Sequence, residues 1–141
     1  MDLNRKYFRI SKDGYKQPGV FEYRLITQSG KEYSYGIAIS YATKEILSEW
    51  LVRIEKSGVE TYIFNRDTDE NGVNFTLSEI KPKSEAERIK WEIFLDVFGQ
   101  NISPSMKKKS VLSDVAERSN ENRGVLREIR DVYEWFQSII I

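Results

Sequence analysis

Asp67, Asp69 and Asn71 recur at every second position and lead directly into Gly72. That is the opening half of a calcium-binding loop, in which oxygen ligands at alternate positions wrap a hard cation and glycine permits the sharp turn. The second half fails. The position for a bidentate glutamate is held by Ser78, and Glu79 falls one residue late. Strand-like residues also flank the loop, where a calcium loop needs helices. The segment therefore reads as a polar hairpin turn, because Asx-Gly pairs supply the positive φ such turns require. No metal ligand is assigned.

Glu45 and Glu49 are the next acidic candidates. On a helix they would lie one turn apart and could share a cation or a proton, yet such spacing is also ordinary solvated helix surface. The chain has no G-x-S-x-G elbow, P-loop or G-x-G-x-x-G. Ser105-Met106-Lys107-Lys108 spells S-x-x-K without its partner motifs. With no histidine and no cysteine, imidazole base catalysis, thiolate attack, zinc binding and disulfides all drop out. Carboxylate, lysine, tyrosine, serine and threonine chemistry remains, or hard-cation chemistry on oxygen ligands. No catalytic residue and no cofactor is nominated.

Two constellations point to binding instead. Tyr7, Tyr23, Tyr33, Tyr35 and Tyr62 lie on expected strands, with Arg9 and Arg24 nearby. Tyrosine is a strong strand former, so a core role ranks first. Protein contact ranks second, with Tyr23, Tyr33, Tyr35 and Arg24 as the residues that would carry it; base stacking ranks third. In the C-terminal part, Ala116, Asn120, Leu126 and Ile129 fall at helix-turn-helix offsets. Arg123 and Arg127 would then face a DNA groove, and Lys107, Lys108 and Lys109 would meet phosphates. Against this, Glu121 stands where an apolar residue normally packs, and Gly124 weakens the second helix by about 1 kcal/mol relative to alanine.

Charge sets a further bound. The 22 basic and 22 acidic residues cancel overall. Residues 1–39 hold seven basic against four acidic, 40–80 four against eight, 81–100 four of each, and 101–141 seven against six. A protein gripping a long nucleic acid through its backbone usually shows a clear basic excess. The 141 residues suffice for one domain, and 40% apolar with 13% aromatic content supports a packed core. No apolar run reaches the roughly 20 residues of a bilayer span, and Met1 to Lys6 lacks a secretory h-region. A cytoplasmic, or host-cytoplasmic, location is the expectation.

The elements that must position these residues follow from periodicity and turn chemistry. Strands are expected at 7–10, 20–27 and 33–40, punctuated by Gly14, Pro18-Gly19 and Ser29-Gly30. In the third, Tyr33, Tyr35, Ile37 and Ile39 share one face. Ser34, Gly36, Ala38 and Ser40 form the other, small enough for a helix to approach closely. Ile46, Leu47, Trp50, Leu51 and Ile54 recur at helical spacing, which predicts a helix over 42–57 packed on the sheet, with Ser40 or Thr43 as cap and Ser57-Gly58 as stop. A second hairpin pairs 59–65 with 73–80. Ser84-Glu85-Ala86-Glu87 is a capping box that opens a helix to about Gly99. From Trp91 to Phe98 that helix is apolar nearly all round, which points to burial or a homo-oligomer contact. Helices at 111–118 and 122–139 complete the chain.

The expected fold is a single α+β domain in the order β-β-β-α-β-β-α-α-α. An antiparallel sheet of about five strands, with one helix packed on it, occupies 1–80, and a helical part follows over 81–141. The expected function is non-enzymatic: a protein that occupies a surface of a macromolecular partner, foremost another protein, as an inhibitor, immunity-type factor or adaptor. The alternative is a DNA-binding regulator using the C-terminal helices.

Overall fold

The computed structural model describes residues 19–69, 72–77, 84–90, 92, 109–118 and 124–139. Five strands, β1 (Gly19–Ile26), β2 (Glu32–Ile39), β3 (Ile46–Ile54), β4 (Glu60–Asp69) and β5 (Gly72–Leu77), pair in sequence order. Every neighbouring pair is antiparallel, so the sheet is an open meander. Among the described residues three helices follow: α1 over residues 85–90, α2 (Val111–Arg118) and α3 (Gly124–Ile139). This is the α+β arrangement expected. The expected strand at 7–10 and the Trp91–Phe98 oligomer face lie outside the described residues, apart from the helical backbone at 92.

The turns explain the meander. Thr27 N–H donates to the Lys31 carbonyl at 3.0 Å and Gly30 N–H to the Thr27 carbonyl at 2.9 Å. Glu55 to Val59 repeats this pattern, with Glu55 N–H on the Val59 carbonyl and Gly58 N–H on the Glu55 carbonyl, both at 2.8 Å. Gly30 and Gly58 adopt φ of 83° and 88°. Only glycine takes that conformation without steric cost, and such a residue at the end of a short loop returns the chain into an antiparallel strand.

This overturns the helix predicted over 42–57: the segment is the central strand β3. Ser57-Gly58 is a hairpin turn, not a helix stop. Ser40 Oγ does accept from Thr43 N–H, at 3.2 Å, but inside the β2–β3 turn. The apolar spacing misleads because β3 is buried on both faces. Trp50 lies over Gly36 on one face, while Leu51 joins the core beneath the helices on the other. Register shifts at Ala38/Ile39 and at Leu51/Val52 blur the period-2 pattern further.

The small-residue face of β2 is also covered differently from the expectation. A Cβ on Gly36 would stand 1.7 Å from the Trp50 indole, so a neighbouring strand's side chain fills the space reserved for a helix. Among the described residues, the helices that cover the sheet are α2 and α3. Val111, Leu112, Val115, Val125, Leu126, Ile129 and Val132 bury against Leu25, Tyr33, Tyr35, Leu51, Phe64 and Leu77. Each large apolar side chain fully removed from water contributes roughly 1.5–3 kcal/mol. In α1, Ser84 Oγ accepts from Glu87 N–H at 3.1 Å, the first half of the expected capping box. Gly124 sits at the first position of α3, where a Cβ would come within 2.6 Å of Glu87 Oε1.

Candidate functional site

β2, β3 and β4 bring Tyr35, Glu49 and Arg66 together under the start of α2. Cross-strand pairing places Glu49 opposite both Ile37 and Arg66. Glu49 Oε1 accepts from Val111 N–H at 2.7 Å, and Oε2 accepts from the Tyr35 hydroxyl at 2.8 Å and from Leu112 N–H at 3.4 Å. The carboxylate thus satisfies two of the orphan amides of a helix N-terminus from outside the helix. Ser110 Oγ takes a third, from Ser113 N–H at 3.2 Å. Arg66 stands 3.7 Å from Glu49 Oε1, and its guanidinium donates to the Lys109 carbonyl. Together Glu49 and Arg66 grip backbone on either side of Ser110.

Both side chains of this pair are 0% exposed. Burial pushes the Glu49 carboxyl above the usual carboxylate range, opposed by Val111 N–H, the Tyr35 hydroxyl and Arg66. Burial, then the Glu49 charge, holds the Tyr35 phenol well above its ordinary value. Burial lowers Arg66, opposed by Glu49, Tyr35 and Asp114. The Glu49 and Arg66 side chains present no surface to solvent, and the Glu49 carboxylate is engaged by the start of α2 and by Tyr35.

A second polar cluster lies at the other end of the helical layer. Glu128 Oε1, on α3, accepts from the Tyr33 hydroxyl at 2.8 Å and from Arg53 at 2.5 Å. Lys31 approaches the same oxygen at 3.9 Å. Arg53 also holds Glu55 at 2.7 Å. Burial lowers the Arg53 guanidinium, but Glu128 and Glu55 more than reverse this and leave it above its ordinary range.

The residues expected to bind a partner separate. Tyr33 and Tyr35 are core, 0% and 5% exposed, so neither ring lies at the surface. This corrects their place in the contact set and fits the reading ranked first for the tyrosines. Tyr23 is 42% exposed and Arg24 projects from the same strand, paired with Glu32. Tyr23 leads into an aromatic row: its ring meets Phe136 edge-on at 5.3 Å, and Phe136 meets Trp135 edge-on at 5.0 Å. Phe21, two residues along β1 on the same face, and Ile139 at the end of α3 are also exposed.

For the DNA-contact set, Arg123, Lys107 and Lys108 lie outside the described residues. Arg127 is engaged with Asp131 at 2.8 Å, and Lys109 Nζ stands 3.7 Å from Asp114. Leu126 and Ile129 are buried. Asp67 belongs to β4 and accepts from the Ser48 hydroxyl at 3.1 Å, and Asp69 pairs with Gly72 across a two-residue connection, so the acidic loop is shorter than expected. Among the described residues no group of three or more acidic side chains gathers to hold a metal ion, and no helix is long and apolar enough to cross a membrane.

Glu49, expected with Glu45 on a solvated helix face, is instead sealed inside β3, and Arg66, Arg53 and Glu128 are site residues that the sequence reading does not single out. The available signal was Trp50-Leu51-Val52 beside it and the Ser57-Gly58 pair, which repeats the hairpin chemistry of Ser29-Gly30. Comparison with protein-family models, with curated proteins and with solved structures finds no match for this chain in any of the three.

Proposed function

We propose that this chain is a non-enzymatic binding protein that occupies a surface of a partner protein, in the manner of an inhibitor, immunity-type factor or adaptor. The observation that carries the reading is an aromatic row in which the exposed Phe21 and Tyr23 lead to the half-buried Phe136 and Trp135, with Arg24 on the opposite face of the same strand. Tyrosine, tryptophan and arginine are the side chains that most often anchor protein contacts. Rings packed edge-on against one another are held in place, so binding immobilises little further side-chain freedom. The sealed state of the ionisable centre adds support, because its groups serve the fold instead of a diffusing substrate.

The test is retention of a partner from host lysate by the tagged chain, with and without nuclease treatment. A protein should be retained in both cases and lost with Phe21→Ser/Tyr23→Ser, while Arg127→Ala leaves it in place. Retained material that disappears with nuclease, or retention indifferent to the β1 changes, would sink the reading.

A further inference from the structure

We infer that α2 and α3 form a cover that leaves the sheet as one unit, with the Glu49–Arg66 clamp setting the position in which it closes. Topology makes this feasible. Among the described residues the five strands pair only in sequence order, so no ladder hydrogen bond passes through the helices and the strand pairing can persist when they depart. The helices bury their apolar stripes against each other and against one face of the sheet, in a single core cluster.

Among the described residues, two polar clusters tie these helices to the sheet. At one, Glu49 holds the Val111 and Leu112 amides and Arg66 holds the Lys109 carbonyl. At the other, Glu128 reaches Tyr33 and Arg53. A buried ion pair contributes little net stability, because desolvation offsets its attraction, yet its geometry is demanding. Such a clamp fixes where the helices dock without deepening the closed state much. Opening rehydrates Glu49 and Arg66, so it costs less than exposing an all-apolar contact of the same size. That places the cover among the cooperative units that open below the global unfolding free energy. Release uncovers Tyr33, Tyr35, Leu51 and Phe64, which the closed form keeps from solvent. The inference does not depend on the proposed binding role.

Native-state hydrogen exchange of the full chain, in increasing sub-denaturing urea, tests it. The amides of 111–118 and 124–139 should share one opening, with a weaker urea dependence than the amides linking β2, β3 and β4. Glu49→Gln should speed exchange in both helices by about tenfold or more and leave those strands unchanged. A single opening common to helices and strands overturns the inference. So does a Glu49→Gln effect that is absent, or equal in both regions. Should Glu49→Gln fail to fold, the wild-type urea dependence still decides between the outcomes.

Discussion

The two polar clusters use the same parts in opposite arrangements. In one, a sheet carboxylate, Glu49, reaches up to the backbone of α2, with Tyr35 and Arg66 beside it. In the other, a helix carboxylate, Glu128, reaches down to Tyr33 and Arg53 on the sheet. Each joins the helical layer to the strands through a carboxylate, a phenol and a guanidinium. They differ in water. Glu49 and Arg66 are sealed, whereas Arg53 is 18% and Lys31 53% exposed beside Glu128. The same chemistry therefore carries different consequences: a group left alone in the sealed cluster stays buried and charged, while one at the rim finds solvent.

The largest expected effect comes from stranding one member of the sealed pair. Glu49→Leu should cost about 3–5 kcal/mol in chemical denaturation, because Arg66 keeps its buried charge without its closest counter-charge. Adding Arg66→Met should recover a good part of that loss. A double variant as unstable as the sum of the two singles would show that the sealed pair is not coupled. Glu128→Gln should cost less, about 1–2 kcal/mol, since Lys31 and Arg53 retain access to water. If it matches Glu49→Leu, the contrast between sealed and rim clusters fails.

The pH dependence of stability sharpens the same contrast. The folded pKa of Glu49 is raised by burial, so folding disfavours its charged form. Its contribution is most favourable below the unfolded pKa and is lost as pH rises through the folded value. Acidification from neutral pH should therefore stabilise the wild type relative to Glu49→Gln, before other carboxylates titrate and acid unfolding begins. A difference between the two that is flat with pH, or of opposite slope, would contradict the burial argument. The smallest change expected is Lys31→Ala, within about 0.5 kcal/mol, because its 3.9 Å approach to Glu128 is exposed and screened.

Much of the fold was legible in the chain. α2 coincides with the helix expected over 111–118, and α3 begins two residues inside the one expected over 122–139. The alternation of Leu25 with its neighbours and the Ser29-Gly30 turn mark the first hairpin. In such segments one face meets the core and the other meets water, so periodicity reports secondary structure directly. β3 is the counter-example. With Trp50 working on one face and Leu51 on the other, its apolar residues have no period of two to display, and a helical spacing emerges by coincidence.

That single misreading hid the sealed cluster, since a glutamate on a supposed helix surface calls for no buried partner. The Ser-Gly pairs after residues 28 and 56 were a local clue that both segments end in hairpins.

Composition and order alone determined the class of the molecule: an α+β chain without imidazole or thiol chemistry, with strands first and helices last. Local turn propensities and amphipathic stripes act over a few residues, so they can be read in one dimension. Only the tertiary structure decided that Glu49 meets α2 across a separation of 62 residues, that Tyr33 and Tyr35 are interior, and that Tyr23 remains at the surface. Those outcomes depend on which strand becomes central and what packs over it. Burial of that kind is a property of the assembled layers and has no local signature.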